Sequence, residues 1–95
     1  MNKVKIEQAA IVILYDENKR LLLQHRTDNA PRMPGFWAFF VGHIGQDETP
    51  LEAIFREAFE ELHYRLKKPK LIMERDVELD KKIHLYVYLD SFDGN

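Results

Sequence analysis

Glu48, Arg56, Glu57, Glu60 and Glu61 gather near mid-chain at spacings that a helix would turn into one cluster. Glu57, Glu60 and Glu61 stand at i, i+3 and i+4, so a single helix flank would present three carboxylates. Like charges at that spacing cost roughly 0.2–0.5 kcal/mol per pair in an isolated helix. A hard divalent cation reverses the sign of that term. Magnesium takes oxygen ligands, commonly one or two carboxylates together with waters and phosphates. The plainer reading is a solvated acidic face, with Arg56 paired to Glu52 or Glu60 at i±4.

The elements that must position these groups can be read around them. Thr49-Pro50-Leu51-Glu52 is a capping box, with Thr49 at the N-cap, Pro50 at the first helical position and Glu52 reaching back. Leu51, Ile54, Phe55, Ala58 and Leu62 then form one apolar stripe that predicts packing on a core. The three glutamates point roughly 110–120° from its centre. They therefore flank the buried face instead of opposing it.

Residues 42–64, GHIGQDETPLEAIFREAFEELHY, resemble the Nudix box, G-x5-E-x7-R-E-U-x-E-E-x-G-U with U a bulky aliphatic residue. Gly42, Glu48, Arg56, Glu57, Glu60 and Glu61 all fall on its specific positions. A tryptophan shortly before the box glycine, here Trp37, is common in that family. The chain departs from the pattern at His63, which stands where the family has glycine, and at Ala58 and Tyr64. His63 is expected to carry the helix on toward Pro69. Phe40-Val41 replaces the usual Pro-Gly before the box glycine, and a β-branched residue avoids positive φ, so the backbone of that entry is expected to differ.

The resemblance implies an α/β (α+β) fold in which a mixed β-sheet packs against the box helix, part of an α/β/α sandwich. It covers residues 1–95 as one domain, the N-terminal two-thirds of a typical member, with the C-terminal elements missing. It implies magnesium or manganese held by Glu57, Glu60, Glu61 and the carbonyl of Val41. Glu57 is alternatively the base or its positioner, Arg56 orients the glutamates, and Glu48 is the partner of Arg56. Gly42 lets the loop backbone pass close to phosphate or metal, and Arg26 is either a phosphate contact, as basic residues near this position are in some members, or a solvated strand-end arginine. The implied activity is hydrolysis of the diphosphate linkage of a nucleoside diphosphate joined to another moiety. The alternative is a catalytically impaired module that binds a nucleotide or a protein.

The remaining sequence supplies scaffold. A hydrophobic fraction of 45% can build a core, and a net charge of −2 argues against a protein that coats nucleic acid. With no cysteines there is no disulfide framework or zinc–thiolate site. No membrane-length apolar run and no signal-peptide core are visible, so a cytoplasmic location is expected. Ala9–Tyr15 predicts a buried strand, residues 16–19 a turn, and Arg20–Arg26 a returning strand of a hairpin. His25 reads as structural. Thr27–Pro34 reads as a loop and Gly35–Phe40 as an aromatic strand whose rings fill the core, with stacking on a nucleobase as the rarer use. Tyr64–Lys70 reads as a solvated basic connector and Leu71–Val77 as a strand. Ile83, Leu85, Val87 and Leu89 alternate with His84, Tyr86, Tyr88 and Asp90, which predicts a half-buried strand before a closing turn at residues 93–95. A sheet face left uncovered predicts self-association, a homodimer being the simplest form.

Overall fold

The β-branched run at Ala9–Tyr15 forms the central strand, β1 (Glu7–Tyr15), of a computed structural model that describes residues 6–30, 34–78 and 81–94. Asp16 closes the following turn. Its carboxylate accepts from the backbone N–H groups of Asn18 and Arg20 at 2.9 and 2.8 Å, while Lys19 takes φ 62°. The chain returns as β2 (Leu21–Leu22), antiparallel to β1. The predicted single strand Arg20–Arg26 is split, however. β3 (Gln24–His25) leaves the sheet and pairs with β4 (Trp37–Ala38) in a separate ribbon. The run Leu21-Leu22-Leu23 has no polar–apolar alternation, so nothing in it marks where pairing changes sheets. Residues 31–33 of the expected loop lie outside the described residues, as do residues 1–5 and 95.

The aromatic strand also divides. β5 (Phe40–His43) pairs antiparallel with β1, placing Phe40 opposite Val12 and Gly42 opposite Ala10. Phe40 is buried, but Phe36 and Trp37 are 56% and 64% exposed, which corrects the expectation that these rings fill the core. β6 (Lys70–Glu78) and β7 (Lys82–Ser91) form the last antiparallel pair. β7 runs parallel to β1 over nine residue pairs, giving a mixed sheet in the order β2-β1-β7-β6 with β5 also on β1. Among the described residues, no helix is long and apolar enough to cross a membrane.

The crossover between antiparallel β5 and the β6–β7 pair is α1 (Pro50–Leu62), and its capping box is formed. Glu52 N–H donates to Thr49 Oγ1 at 3.1 Å, and Thr49 N–H donates to Glu52 Oε1 at 2.9 Å. The helix lies on β1 and β5, its core shared with Ala10, Val12, Leu14 and Phe40. Its buried residues are Ala53, Ile54 and Ala58, whereas Leu51 and Phe55 are 42% and 38% exposed. The packed face is thus turned toward Ala53 relative to the predicted stripe. Two alanines let the helix backbone lie close on the strands, and the larger Leu51 and Phe55 are left at the rim.

The helix does not run on toward Pro69. It stops at Leu62, and His63 adopts the left-handed region at φ 53°, the conformation that the family's glycine suits. A non-glycine residue there is disfavoured by roughly 1–2 kcal/mol, offset in part by the lower unfolded-state entropy of a side-chain-bearing residue. His63→Gly is therefore expected to stabilise the fold by about 0.5–1 kcal/mol, a rise of a few degrees in Tm by calorimetry. An unchanged or lower Tm would show that the edge contact of His63 with Phe59, 5.7 Å between ring centroids, outweighs the backbone relief.

The connector after the helix is not a solvated turn, since Tyr64 and Leu66 are buried. Asp90 anchors it, accepting from the backbone N–H groups of Lys67 and Lys68 at 2.8 and 3.3 Å and from Ser91 N–H at 2.8 Å. Tyr64 Oη donates to Ser91 O at 2.9 Å. Tyr88 and Asp90 are buried as well as Ile83 and Val87, so β7 buries residues of both its faces and is not half-buried as predicted.

Candidate functional site

The loop joining β5 to α1 aims a carboxylate at the helix. Gly45 N–H donates to Glu48 Oε1 at 2.9 Å, and Glu48 N–H returns to Gly45 O at 3.1 Å. Held this way, Glu48 takes a two-pronged bond from Arg56: Nε to Oε2 at 2.8 Å and Nη2 to Oε1 at 3.0 Å. The same Nη2 donates to His43 O at 2.9 Å. Arg56 Nη1 faces the other way, 3.3 Å from Glu60 Oε2 and 3.5 Å from Glu57 Oε2. Glu52, the other expected i−4 partner, is used by the cap instead. One guanidinium thus ties the loop to the carboxylate flank of α1, and such forked, charge-assisted bonds are roughly twice as strong as neutral ones.

These bonds set the electrostatics. The Arg56 guanidinium, then the Gly45 N–H, holds the Glu48 carboxyl down at about 2, and Glu48 in turn holds Arg56 firmly protonated. A depressed carboxylate contributes stability above its unfolded value, lost as pH falls through the folded one. The Tm advantage of the protein over Glu48→Gln is therefore expected to be full above about pH 5 and to vanish as pH falls toward 2. An advantage that persists undiminished at pH 2 would exclude this pairing as its source.

Glu57 is in the opposite condition. Its side chain is only 15% exposed, and burial, followed by the charge on Glu61, raises its pKa against the opposing pull of Arg56. The rotation of α1 toward Ala53 is what turns Glu57, one helical turn later, onto the sheet. It lies against Gly42. A Cβ at that position would sit 2.6 Å from Glu57 Oε2. Gly42 is therefore not in a loop, as the motif suggested, but in β5 opposite Ala10, and the space of its missing side chain holds Glu57. Val41 precedes it in regular extended backbone, paired with Ile11, and avoids positive φ as its β-branch requires. Glu60 and Glu61 are exposed on the flank beside Glu57. Arg26 directly follows β3, its backbone N–H donating to Phe36 O at 2.8 Å.

An open cavity of about 590 Å³ adjoins the loop, lined by Gln8, His43, Ile44, Gly45 and Glu48 among others. Among the described residues, no three acidic or imidazole groups converge closely enough to hold a metal ion as they stand. The donor chemistry nevertheless suits a hard cation. Glu57, Glu60 and Glu61 supply oxygen alone, and the mutual repulsion of Glu57 with Glu61 and Glu60 would be relieved by positive charge. Sequence reasoning missed the His43 carbonyl, for which no sequence signal exists, and the Gly45 N–H, which a glycine three residues before Glu48 could have suggested.

Comparison with known proteins places these features in context. The family model described as NUDIX domain matches residues 5–95. A curated relative, dihydroneopterin triphosphate diphosphatase of Haemophilus influenzae, is 38% identical over 64 residues, 65% of this chain and 37% of that protein. Isopentenyl-diphosphate Delta-isomerase of Streptomyces coelicolor is 39% identical over 59 residues, 61% of this chain and 30% of that protein. The chain thus spans about a third of the length of these curated relatives. The MutT protein of Methanosarcina mazei Go1 has the same fold, with a TM-score of 0.84 at 22% identity over all of this chain and 70% of that one.

Proposed function

The chain belongs to the NUDIX family, and from that premise we propose that it hydrolyses a diphosphate linkage, with a divalent cation, magnesium or manganese, as cofactor. The observation that carries the reading is the gathering of Glu48, Glu57 and Glu60 around Arg56. Glu57, Glu60 and Glu61 would hold the cation. When bound, it supplies positive charge at the phosphate oxygens. The protein's own groups do the rest. Arg56, fixed by Glu48 and His43 O, keeps Glu57 and Glu60 in place. Glu57, seated in the space above Gly42, accepts a proton from the attacking water as the new P–O bond forms and the bridging P–O bond breaks in line. Arg26 contacts a phosphate further along the substrate, and the carbonyl of Val41 is an additional oxygen donor for the cation.

A second reading, binding without turnover, is favoured by one observation: the carboxylates do not converge on a common point among the described residues. The name of the isomerase relative, moreover, shows that a related chain carries out chemistry on a diphosphate other than hydrolysis. One experiment separates these readings. Nucleoside triphosphates, nucleotide sugars, dinucleoside polyphosphates and an isoprenoid diphosphate are incubated with the protein and magnesium or manganese, with and without chelator. Release of phosphate or pyrophosphate that chelator abolishes supports the hydrolase. Calorimetric binding with no release from any compound would establish the second reading.

A further inference from the structure

We propose that the outer side of α1 is where a second copy of this chain docks, helix against antiparallel helix about a two-fold axis. α1 packs on β1 and β5 through Ala53, Ile54 and Ala58. Leu51, Phe55 and Phe59 lie outside that contact, 42%, 38% and 45% exposed. They stand at i, i+4 and i+8, so they form one ridge about 12 Å long. Apolar residues scattered singly over a surface are ordinary, but three in line, two of them aromatic, put a continuous apolar strip in water. The strip is also shaped. Arg65 lies over the Phe59 ring, its guanidinium carbon 5.4 Å from the centroid, and His63 stands near edge-on to the same ring. Phe55, Arg56, Phe59 and Arg65 together line an open groove of about 290 Å³. A ridge beside a groove is the surface on which a second helix packs.

The charges choose the occupant. Asp47 and Glu52 stand at the N-terminal end of the ridge, His63 and Arg65 at its C-terminal end. Glu60, also toward the C-terminal end, has Arg56 Nη1 at 3.3 Å. A two-fold dimer meets itself with the same patch on both copies, so that patch has to be self-complementary. An antiparallel pairing centred between Phe55 and Phe59 meets this demand. Phe55 of each copy then faces Phe59 of the other, and Arg65 of each faces the Glu52 end of the other. The helix dipoles oppose one another favourably as well. A parallel pairing would instead set like charges side by side at both ends. Glu57 points about 160° from both phenylalanines, so this pairing does not cover its seat above Gly42.

Sedimentation of the full chain over a wide range of concentration tests the proposal. One helix pair is a small interface, so a weak dimer is expected, with Kd of about 10–100 µM. Phe55→Ser and Phe59→Ser are each expected to weaken it about 10-fold or more, while Tm in dilute solution moves by no more than about 3 °C. Glu52→Gln keeps the capping bond and removes the charge, and Arg65→Gln removes its partner. Each is expected to weaken the dimer about 3-fold at low salt, and the double variant no more than either alone. A protein that stays monomeric throughout overturns the proposal. So does a dimer that both serine variants leave intact, which would assign association to another surface, such as the uncovered sheet face. Additive losses from Glu52→Gln and Arg65→Gln would overturn the antiparallel pairing. Should a serine variant fail to fold, the Glu52 and Arg65 variants still decide.

Discussion

Glu57→Gln is expected to lower cation-dependent turnover by about 100- to 10,000-fold, the usual share of a positioned proton acceptor, without destabilising the protein. The amide has the shape of the carboxyl it replaces, so the seat above Gly42 stays filled. What changes is charge. Burial and the neighbouring Glu61 raise the pKa of Glu57, which means the fold opposes its ionisation. For a carboxyl raised in the folded state, stability declines as pH climbs from the unfolded value through the folded one. At neutral pH in chelator the variant should therefore melt at or above the temperature of the parent protein. Magnesium should reverse that ranking, because a ligand that binds only the folded state stabilises by mass action and the variant has lost one of its donors. Turnover and melting, each with and without magnesium, test both halves. Equal turnover in the two proteins would remove Glu57 from the chemistry.

Gly42→Ala is expected to separate activity from stability in a second way. The new Cβ would lie 2.6, 2.9 and 3.1 Å from Glu57 Oε2, Cδ and Cγ. Gly42 is not among the residues at positive φ, so alanine suits the strand backbone and the whole conflict falls on one flexible side chain. Glu57 must move, by something near an ångström. A misplacement of that size costs about 100-fold in rate, whereas Tm should change by no more than a few degrees. Gly45→Ala is the contrasting variant. Its Cβ would meet Glu48 Oε1 at 3.4 Å, at the edge of ordinary contact, so a few-fold loss is the most expected. Equal effects at the two glycines would mean that close approach to Glu57 is not what Gly42 provides.

The local chemistry of this site was legible before any coordinates. Thr49 and Glu52 form the cap their spacing announced, and the fixed intervals from Gly42 to Glu61 identified the family. What could not be read was set by packing at a distance. A helical wheel ranks Leu51 and Phe55 above Ala53 as core residues, yet small alanines decide how closely the helix approaches β1 and β5, and that choice turned Glu57 inward. His63 looked like a continuation because side chains rarely take φ 53°; the burial of Tyr64 and Leu66 beneath the Asp90 anchor enforces the turn. Asp90 did carry a signal. A carboxylate near the end of an apolar strand, followed by no other charge until Asp93, invites the question of which backbone groups it satisfies. The roles of the glutamates are a separate matter, decided by the variants above.

The parallel pairing of β1 with β7 has a consequence for how the molecule comes into being. Glu7 meets Ile83 and Tyr15 meets Ser91, so the central strand acquires its longest neighbour only after almost all of the intervening chain has been made. Closing so wide a loop is entropically slow, and pairings of this kind retard folding relative to local hairpins. On a ribosome, β1 and β5 can associate early, but the Asp90 anchor that fixes the exit of α1 cannot form until β7 has emerged. The glutamates would then reach their final arrangement late and together, giving the nascent chain little opportunity to act on phosphates while partly built.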